Sequence, residues 1–282
     1  MAGEAATLAD ILQVEEIGTD VYRAWTPPGS GRSDIFGGQV AGQGLRAALH
    51  TVDPSHLPNS IHGYFLRRGR PDLPLDIHVE RIRAGRTYTS RRIDVSQEGK
   101  TIFAMLASFH LEEPGREFDH AMPEGVPGPD DLEQGAEDLH WHPQLEVRAV
   151  PAQGPVVRWW GRVPHAFPAD PALHFCGLLY ASDLRAGGAA MAAVGYSDAF
   201  DREPDDQTSP PGNFGSLDHS VWFHRVPDVG EWFYCDVHPL TVRDSRGLVL
   251  GTLFDREGRH LASFTQEMFL KAGERPGARR LD

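Results

Sequence analysis

The sequence is poor in both cysteine and lysine. Two cysteines occur in 282 residues, Cys176 and Cys235, with no CxxC pair. That excludes a zinc ribbon or a disulfide framework. Both read as reduced packing residues, and a cytoplasmic location is expected. No run of about 18 apolar residues occurs, so no membrane-spanning helix is expected. The start, Met1-Ala-Gly-Glu-Ala-Ala6, lacks the basic and apolar regions of a signal peptide. Lys100 and Lys271 are the only lysines among 27 basic residues, so arginine is the general cation here and a single Arg is weak evidence for a phosphate site. The clustered positive field that nucleic acid requires is missing as well, since the net charge is −13. The 14 histidines form no HExxH, and Phe36-Gly-Gly-Gln39 lacks the spacing of a dinucleotide fingerprint. No metal and no cofactor is expected.

The composition is otherwise that of a globular protein: 40% hydrophobic, 9% aromatic and 24% charged. A chain of this length buries about 75% of its unfolded surface, enough for one large core or two smaller ones. The acidity is concentrated. Residues 112–138 hold ten acids against Arg116, with prolines and glycines between them. This stretch reads as a solvated, poorly ordered linker. The expected organisation is therefore a first repeat at 1–111, a linker at 112–139, a second repeat at 140–271 and a frayed tail at 272–282.

The two halves resemble each other. In the first, a helical stretch between Phe36 and His50 precedes strand-like stretches at 61–66, 75–83, 87–96 and 101–111. In the second, a helix near 172–186 precedes stretches at 217–225, 231–239, 247–255 and 260–270. Segments 13–27 and 146–163 add a strand or two before each helix. Each half ends on a hairpin with a similar turn, Gln97-Glu-Gly-Lys100 and Arg256-Glu-Gly-Arg259, whose glycine suits a positive φ. The predicted fold is α+β, a helix on one face of a curved antiparallel sheet, repeated twice. That is the layout of a double hotdog.

Three residues stand out for chemistry. Asp183 follows Tyr180, Leu179 and Cys176 at helical spacing, which puts a carboxylate on an apolar face, where it is costly unless paired or used. The alternative is a helix end that reaches solvent. Gln266 alternates with Phe264, Met268 and Leu270 on the face that meets the helix, and a buried amide there needs partners. Counting eight residues on from each hairpin glycine matches Gln266 with Ala107, an inert residue, as in a duplicated protein with one surviving site. The alternative is a structural glutamine bonding a loop. Ser216, at the entrance of the stretch 217–225, is by itself an ordinary turn residue. Asp170-Pro-Ala-Leu-His174 reads as a helix start, with Asp170 as cap and Pro171 in the first turn.

Several ordered stretches resemble the acyl-CoA thioesterase II family of double-hotdog proteins. They are Phe36-Gly-Gly-Gln39, His62-Gly-Tyr-Phe-Leu-Arg67, Arg91-Arg92 with Gly99-Lys-Thr-Ile-Phe103, Tyr180-Ala-Ser-Asp-Leu184, Leu217-Asp-His-Ser-Val-Trp-Phe-His-Arg225 and Ala262-Ser-Phe-Thr-Gln-Glu267. The resemblance implies a catalytic set of Asp183, Ser216 and Gln266, with Ser216 standing where the family commonly has Thr. It implies hydrolysis of acyl-CoA to a free acid and CoA: Asp183 acts as general base or orients the water, and Ser216 and Gln266 hold that water. It also implies a homodimer or larger assembly. A hotdog enoyl-CoA hydratase or dehydratase, or a non-catalytic acyl-CoA-binding protein, are the alternatives.

Overall fold

The computed structural model describes residues 6–27, 33–132, 144–164, 166–196 and 212–272. The end of the acidic linker (133–139) and the tail from 273 onward lie outside the described residues. The first half runs α1 (Leu8–Ile11), β1 (Glu15–Gly18), β2 (Val21–Ala24), α2 (Gly37–Leu49), β3 (His56–Phe65), β4 (Leu75–Ala84), β5 (Tyr88–Gln97) and β6 (Lys100–Leu111). The second runs β7 (Glu146–Ala149), β8 (Val157–Arg162), α3 (Pro171–Ser182), α4 (Ala186–Ala193), β9 (Gly212–Ser216), β10 (Asp218–Phe223), β11 (Phe233–Arg243), β12 (Arg246–Asp255) and β13 (His260–Ala272).

The strands form one antiparallel sheet, in the order β1-β2-β4-β5-β6-β3-β10-β13-β12-β11-β8-β7, with β9 also on β13. The β3–β10 pair, with His219 opposite Gly63 and Val221 opposite Ile61, sews the halves together. Strict alternation builds the core: in β5 it turns Thr89, Arg91, Ile93 and Val95 inward while their neighbours stay more exposed. Ala107 pairs with Ile61 and Arg91, whereas Gln266 pairs with Val249. Both terminal hairpins carry a register shift at the equivalent place, near Val95/Ser96 and Leu253/Phe254. The turns themselves differ. Glu98 and Gly99 both have positive φ, as a two-residue hairpin requires, but in the second turn only Gly258 does.

Helices α2 and α3 lie antiparallel against each other. They approach closely because Gly38 and Gly42 face them: a Cβ on Gly38 would lie 2.4 Å from the Tyr180 carbonyl oxygen, and one on Gly42 3.2 Å from that of Cys176. The single helix expected near 172–186 is two. Helix α3 stops at Ser182, Arg185 takes a left-handed conformation (φ 58°), and α4 begins at Ala186. The small residues of α4 let it sit tightly on the sheet: Cβ atoms on Gly187 and Gly247 would meet Met268 and Ala190. The stretch expected at 217–225 is β10, and a short strand that was not expected, β9, precedes it across a bend at Leu217.

The acidic segment departs from expectation. Between 118 and 132 it is laid along the outer face of β8, β11 and β12. Met122, Val126 and Leu132 pack on Val150, Trp160, Trp232, Tyr234 and Phe254. Trp160 Nε1 donates to the Pro127 carbonyl at 2.9 Å, and Asp119 and Asp130 pair with Arg225 and Arg256. Charge and proline content predict a solvated loop. An aromatic patch on a distant sheet face overrides that local preference.

Candidate active site

The sequence-predicted residues Asp183, Ser216 and Gln266 come together at the seam between the halves. Asp183 is the C-cap of α3. The helix does end there, but the side chain turns inward and is 9% exposed. Its Oδ1 accepts from Gln266 Nε2 at 2.9 Å and its Oδ2 from the Gly38 backbone N–H at 2.8 Å. That second donor belongs to the first turn of α2. The N-cap of helix α2 is Phe36, whose side chain makes no capping hydrogen bond. A carboxylate 145 residues away in sequence caps it instead, at the end of a helix that attracts negative charge. Glycine is required for this approach. A Cβ on Gly37 would lie 2.8 Å from Asp183 Oδ2 and 2.9 Å from the Phe65 ring.

Gln266 is buried on β13. Its Nε2 also donates to Ser216 Oγ, so both amide hydrogens are used. Ser216 ends β9 opposite Met268. The bend after it is pinned by Leu217 N–H donating to the Glu267 carbonyl at 2.8 Å, Glu267 N–H to Asp218 Oδ1 at 2.8 Å, and Phe65 N–H to the Leu217 carbonyl at 2.9 Å. Because the Ser216 oxygen accepts from Gln266, its own O–H can donate outward. A carboxylate, an amide and a donating hydroxyl thus form one hydrogen-bonded cluster. Such a set can hold a water molecule and accept its proton.

Sequence reasoning missed three contributors. Two come from the first half: the Gly38 N–H and the Phe65 ring. The third is His219, fully buried on the same strand face as Val221 and Phe223. Its Nε2 lies 2.8 Å from Ser182 Oγ, itself 2.9 Å from the Leu179 carbonyl. Burial pushes this imidazole below its ordinary pKa, against the opposing pull of Asp183 and Asp218. The alternation of His219, Val221 and Phe223 was the available signal. Elsewhere, Asp170 caps α3 as expected, accepting from Ala172 N–H at 3.0 Å, with Pro171 in the first turn. His174 Nδ1 accepts from Val229 N–H at 3.1 Å. Among the described residues no group of three or more His, Cys, Asp or Glu could hold a metal ion, and no helix is long and apolar enough to cross a membrane.

Comparison with known proteins bears on this geometry. Residues 25–110 match the family described as acyl-CoA thioesterase N-terminal domain, and residues 113–270 the acyl-CoA thioesterase C-terminal domain. Acyl-coenzyme A thioesterase 8 of Mus musculus is 30% identical over 295 residues, covering 92% of this chain and 87% of its own. Acyl-CoA thioesterase 2 of Haemophilus influenzae is 26% identical, covering 95% and 98%. The crystal structure of acyl-CoA thioesterase II TesB2 from Mycobacterium marinum superposes with a TM-score of 0.80 at 32% identity, over 95% of this chain and 99% of that one.

Proposed function

The chain belongs to the acyl-CoA thioesterase family, and from that premise we propose that it hydrolyses acyl-CoA thioesters to the free acid and CoA, with Asp183, Ser216 and Gln266 as its catalytic residues. The observation that carries the assignment is the convergence of the three side chains from α3, β9 and β13, joined through the single amide of Gln266. Asp183 takes a proton from a water molecule whose oxygen attacks the thioester carbonyl. The carbon–oxygen bond forms, the carbon–sulfur bond breaks, and the proton goes to the departing CoA thiolate. Gln266 fixes the carboxylate, and the Ser216 O–H holds the water. The sequence pair that bears on a hydratase reading, Asp170 and His174, is spent on the start of α3 and on Val229.

The test is thiol release from acyl-CoA over a range of chain lengths. Gln266→Ala lowers kcat about 10²-fold, the scale of losing one group that positions a reactant. Asp183→Asn costs at least as much. The double variant loses little more, because both side chains act on one water. Full activity in Asp183→Asn refutes the assignment. Binding of acyl-CoA without turnover would favour a carrier, and water addition to an enoyl-CoA a hydratase.

The same reading extends to assembly and location. Tyr64, Leu106, Trp222 and Leu250 leave apolar surface across the outer face of the central strands, which supports a homodimer or larger assembly. Light scattering at the mass of one chain, 31.1 kDa, would refute this. A cytoplasmic location rests on Cys176 and Cys235, both buried as free thiols, with burial pushing Cys176 up to about 12.

A further inference from the structure

Two buried atoms beside the proposed catalytic residues lack a hydrogen-bond partner of good geometry: Gln266 Oε1 and His219 Nδ1. They belong to facing residues. In the β10–β13 register Ser220 lies opposite Thr265, and one step further brings His219 opposite Gln266. The Gln266 side chain also bears on the ring directly, favouring its protonated form. The first half provides the comparison. Its equivalent cross-strand pair is Ile61 opposite Ala107, both buried. One half closes this position with two apolar side chains, and the other buries a histidine against an amide. Burying an imidazole where the fold accepts isoleucine costs stability unless the ring has a task.

We propose that His219 is a positioning residue for the hydrolysis proposed above: as the Nδ1–H tautomer it donates to Gln266 Oε1 and so fixes which way the amide faces. The argument follows from donors and acceptors. With Oε1 toward His219, the Gln266 NH2 group supplies both of its hydrogens, one to Asp183 Oδ1 and one to Ser216 Oγ. Rotated by 180°, the amide would place its oxygen against the Asp183 carboxylate and remove the donor from Ser216. Nothing on Gln266 itself prevents that rotation. A ring protonated on Nε2 would set a bare nitrogen lone pair against Oε1, leaving two buried acceptors face to face. A ring protonated on Nδ1 satisfies both atoms; in that tautomer the single Ser182 hydrogen goes to Nε2 at 2.8 Å instead of to the Leu179 carbonyl at 2.9 Å. Ser182 precedes Asp183 in the chain, so the same hydrogen bond ties the end of α3 to β10. His219 touches no reacting atom. It acts through Gln266, and this inference rests on the catalytic role assigned to that residue.

The test pairs two variants with a spectrum. His219→Ile copies the first half's Ile61 and is expected to fold with a Tm close to wild type. It lowers kcat about tenfold or more, the scale of losing a partner that orients a functional group, with KM changed less than twofold. His219→Asn, whose side-chain NH2 can reach the position of Nδ1, recovers most of that loss. In a Gln266→Ala background His219→Ile causes no further loss. Long-range 15N–1H spectra of histidine-labelled protein show His219 neutral and protonated on Nδ1, and the resonance moves in Gln266→Ala. A ring protonated on Nε2 overturns the inference whatever the activity. So does wild-type kcat in His219→Ile, or an unreduced effect of that variant when Gln266 is already alanine. Absence of thiol release from the wild-type enzyme would overturn the reaction instead, and the tautomer would still be read from the spectrum.

Discussion

The distance between α2 and α3 is set by glycine, and Gly38→Ala tests whether that distance positions Asp183. A Cβ there would lie 2.4 Å from the Tyr180 carbonyl oxygen and 2.6 Å from the Phe36 ring. Ordinary C···O contact begins at about 3.3 Å, so the overlap is roughly 1 Å. The obstacle is helix backbone on one side and a packed ring on the other, and the two helices must separate. The Gly38 N–H to Asp183 Oδ2 bond of 2.8 Å lies directly across the gap. A displacement of about 1 Å at a reacting group costs about 10²-fold in rate. Strain of this kind costs about 1–3 kcal/mol of stability, offset in part by the better helix propensity of alanine, about 1 kcal/mol. Gly44→Ala on the same helix is the control. Its Cβ would meet the flexible end of Met105 at 3.0 Å. That variant should stay within about 1 kcal/mol of wild type and keep full activity. Urea unfolding gives the stabilities, and thiol release gives kcat per folded enzyme. Wild-type kcat in Gly38→Ala would show that helix spacing does not place the carboxylate.

Three further expectations follow from the same structure. His219, His224 and His260 are all held below their ordinary pKa of 6.5, chiefly by burial. The unfolded chain therefore binds more protons below pH 6.5, so stability is complete above that value and falls as pH drops toward the lowered native values. Tm against pH should show this slope, and His219→Ile should flatten it; an unchanged slope refutes the contribution of His219. Trp160→Ala should cost about 3–5 kcal/mol and open the segment 118–132 to protease, whereas Asp119→Asn, in an exposed ion pair, should cost about 0–1 kcal/mol. Undiminished protection in Trp160→Ala would refute the anchoring role of the aromatic patch, and loss of protection in Asp119→Asn alone would assign that role to charge. Ala107→Gln should add no activity, because α2 carries no carboxylate to pair with the new amide; a rise in kcat would refute that reading of the first half.

What the sequence made legible is the periodic part of the molecule. Alternation and the two hairpin glycines mark the strands of both halves, because local pattern and tertiary burial agree there. The failures are places where distant contacts decide. The break at Arg185 has no proline or cap signal: it is set by Asp183 reaching for α2, while α4 packs on the sheet through its small residues. The segment 118–132 looks solvated until Trp160, Tyr234 and Phe254 are seen to lie beneath it. In the site, Asp183 and Gln266 were legible as polar groups on apolar faces. Ser216 was legible only through resemblance, because a serine before a strand has no distinguishing pattern. The Gly38 donor was not legible, since a backbone N–H leaves no signature and its partner lies in the other half of the chain.

The antiparallel pair of α2 and α3 has two equivalent ends, and a duplicated chain could carry a site at each. The difference between them lies in how the helix N-termini are satisfied. Helix α2 begins after Phe36, with two glycines that let another chain segment approach, and its first-turn donor goes to Asp183. Helix α3 begins with Asp170, whose Oδ1 accepts from the helix's own Ala172 N–H while its Oδ2 pairs with Arg46 of α2 at 2.8 Å. Pro171 removes a further donor. A carboxylate arriving there from the end of α2 would find its donor taken, and the residue at that end is His50. The strand beneath offers Ala107 and Ile61 in place of Gln266 and His219. Restoring a second site therefore requires changing the cap, the helix end and the strand pair together. No single substitution in the first half can do it, because all three places differ from their counterparts at the Asp183 end.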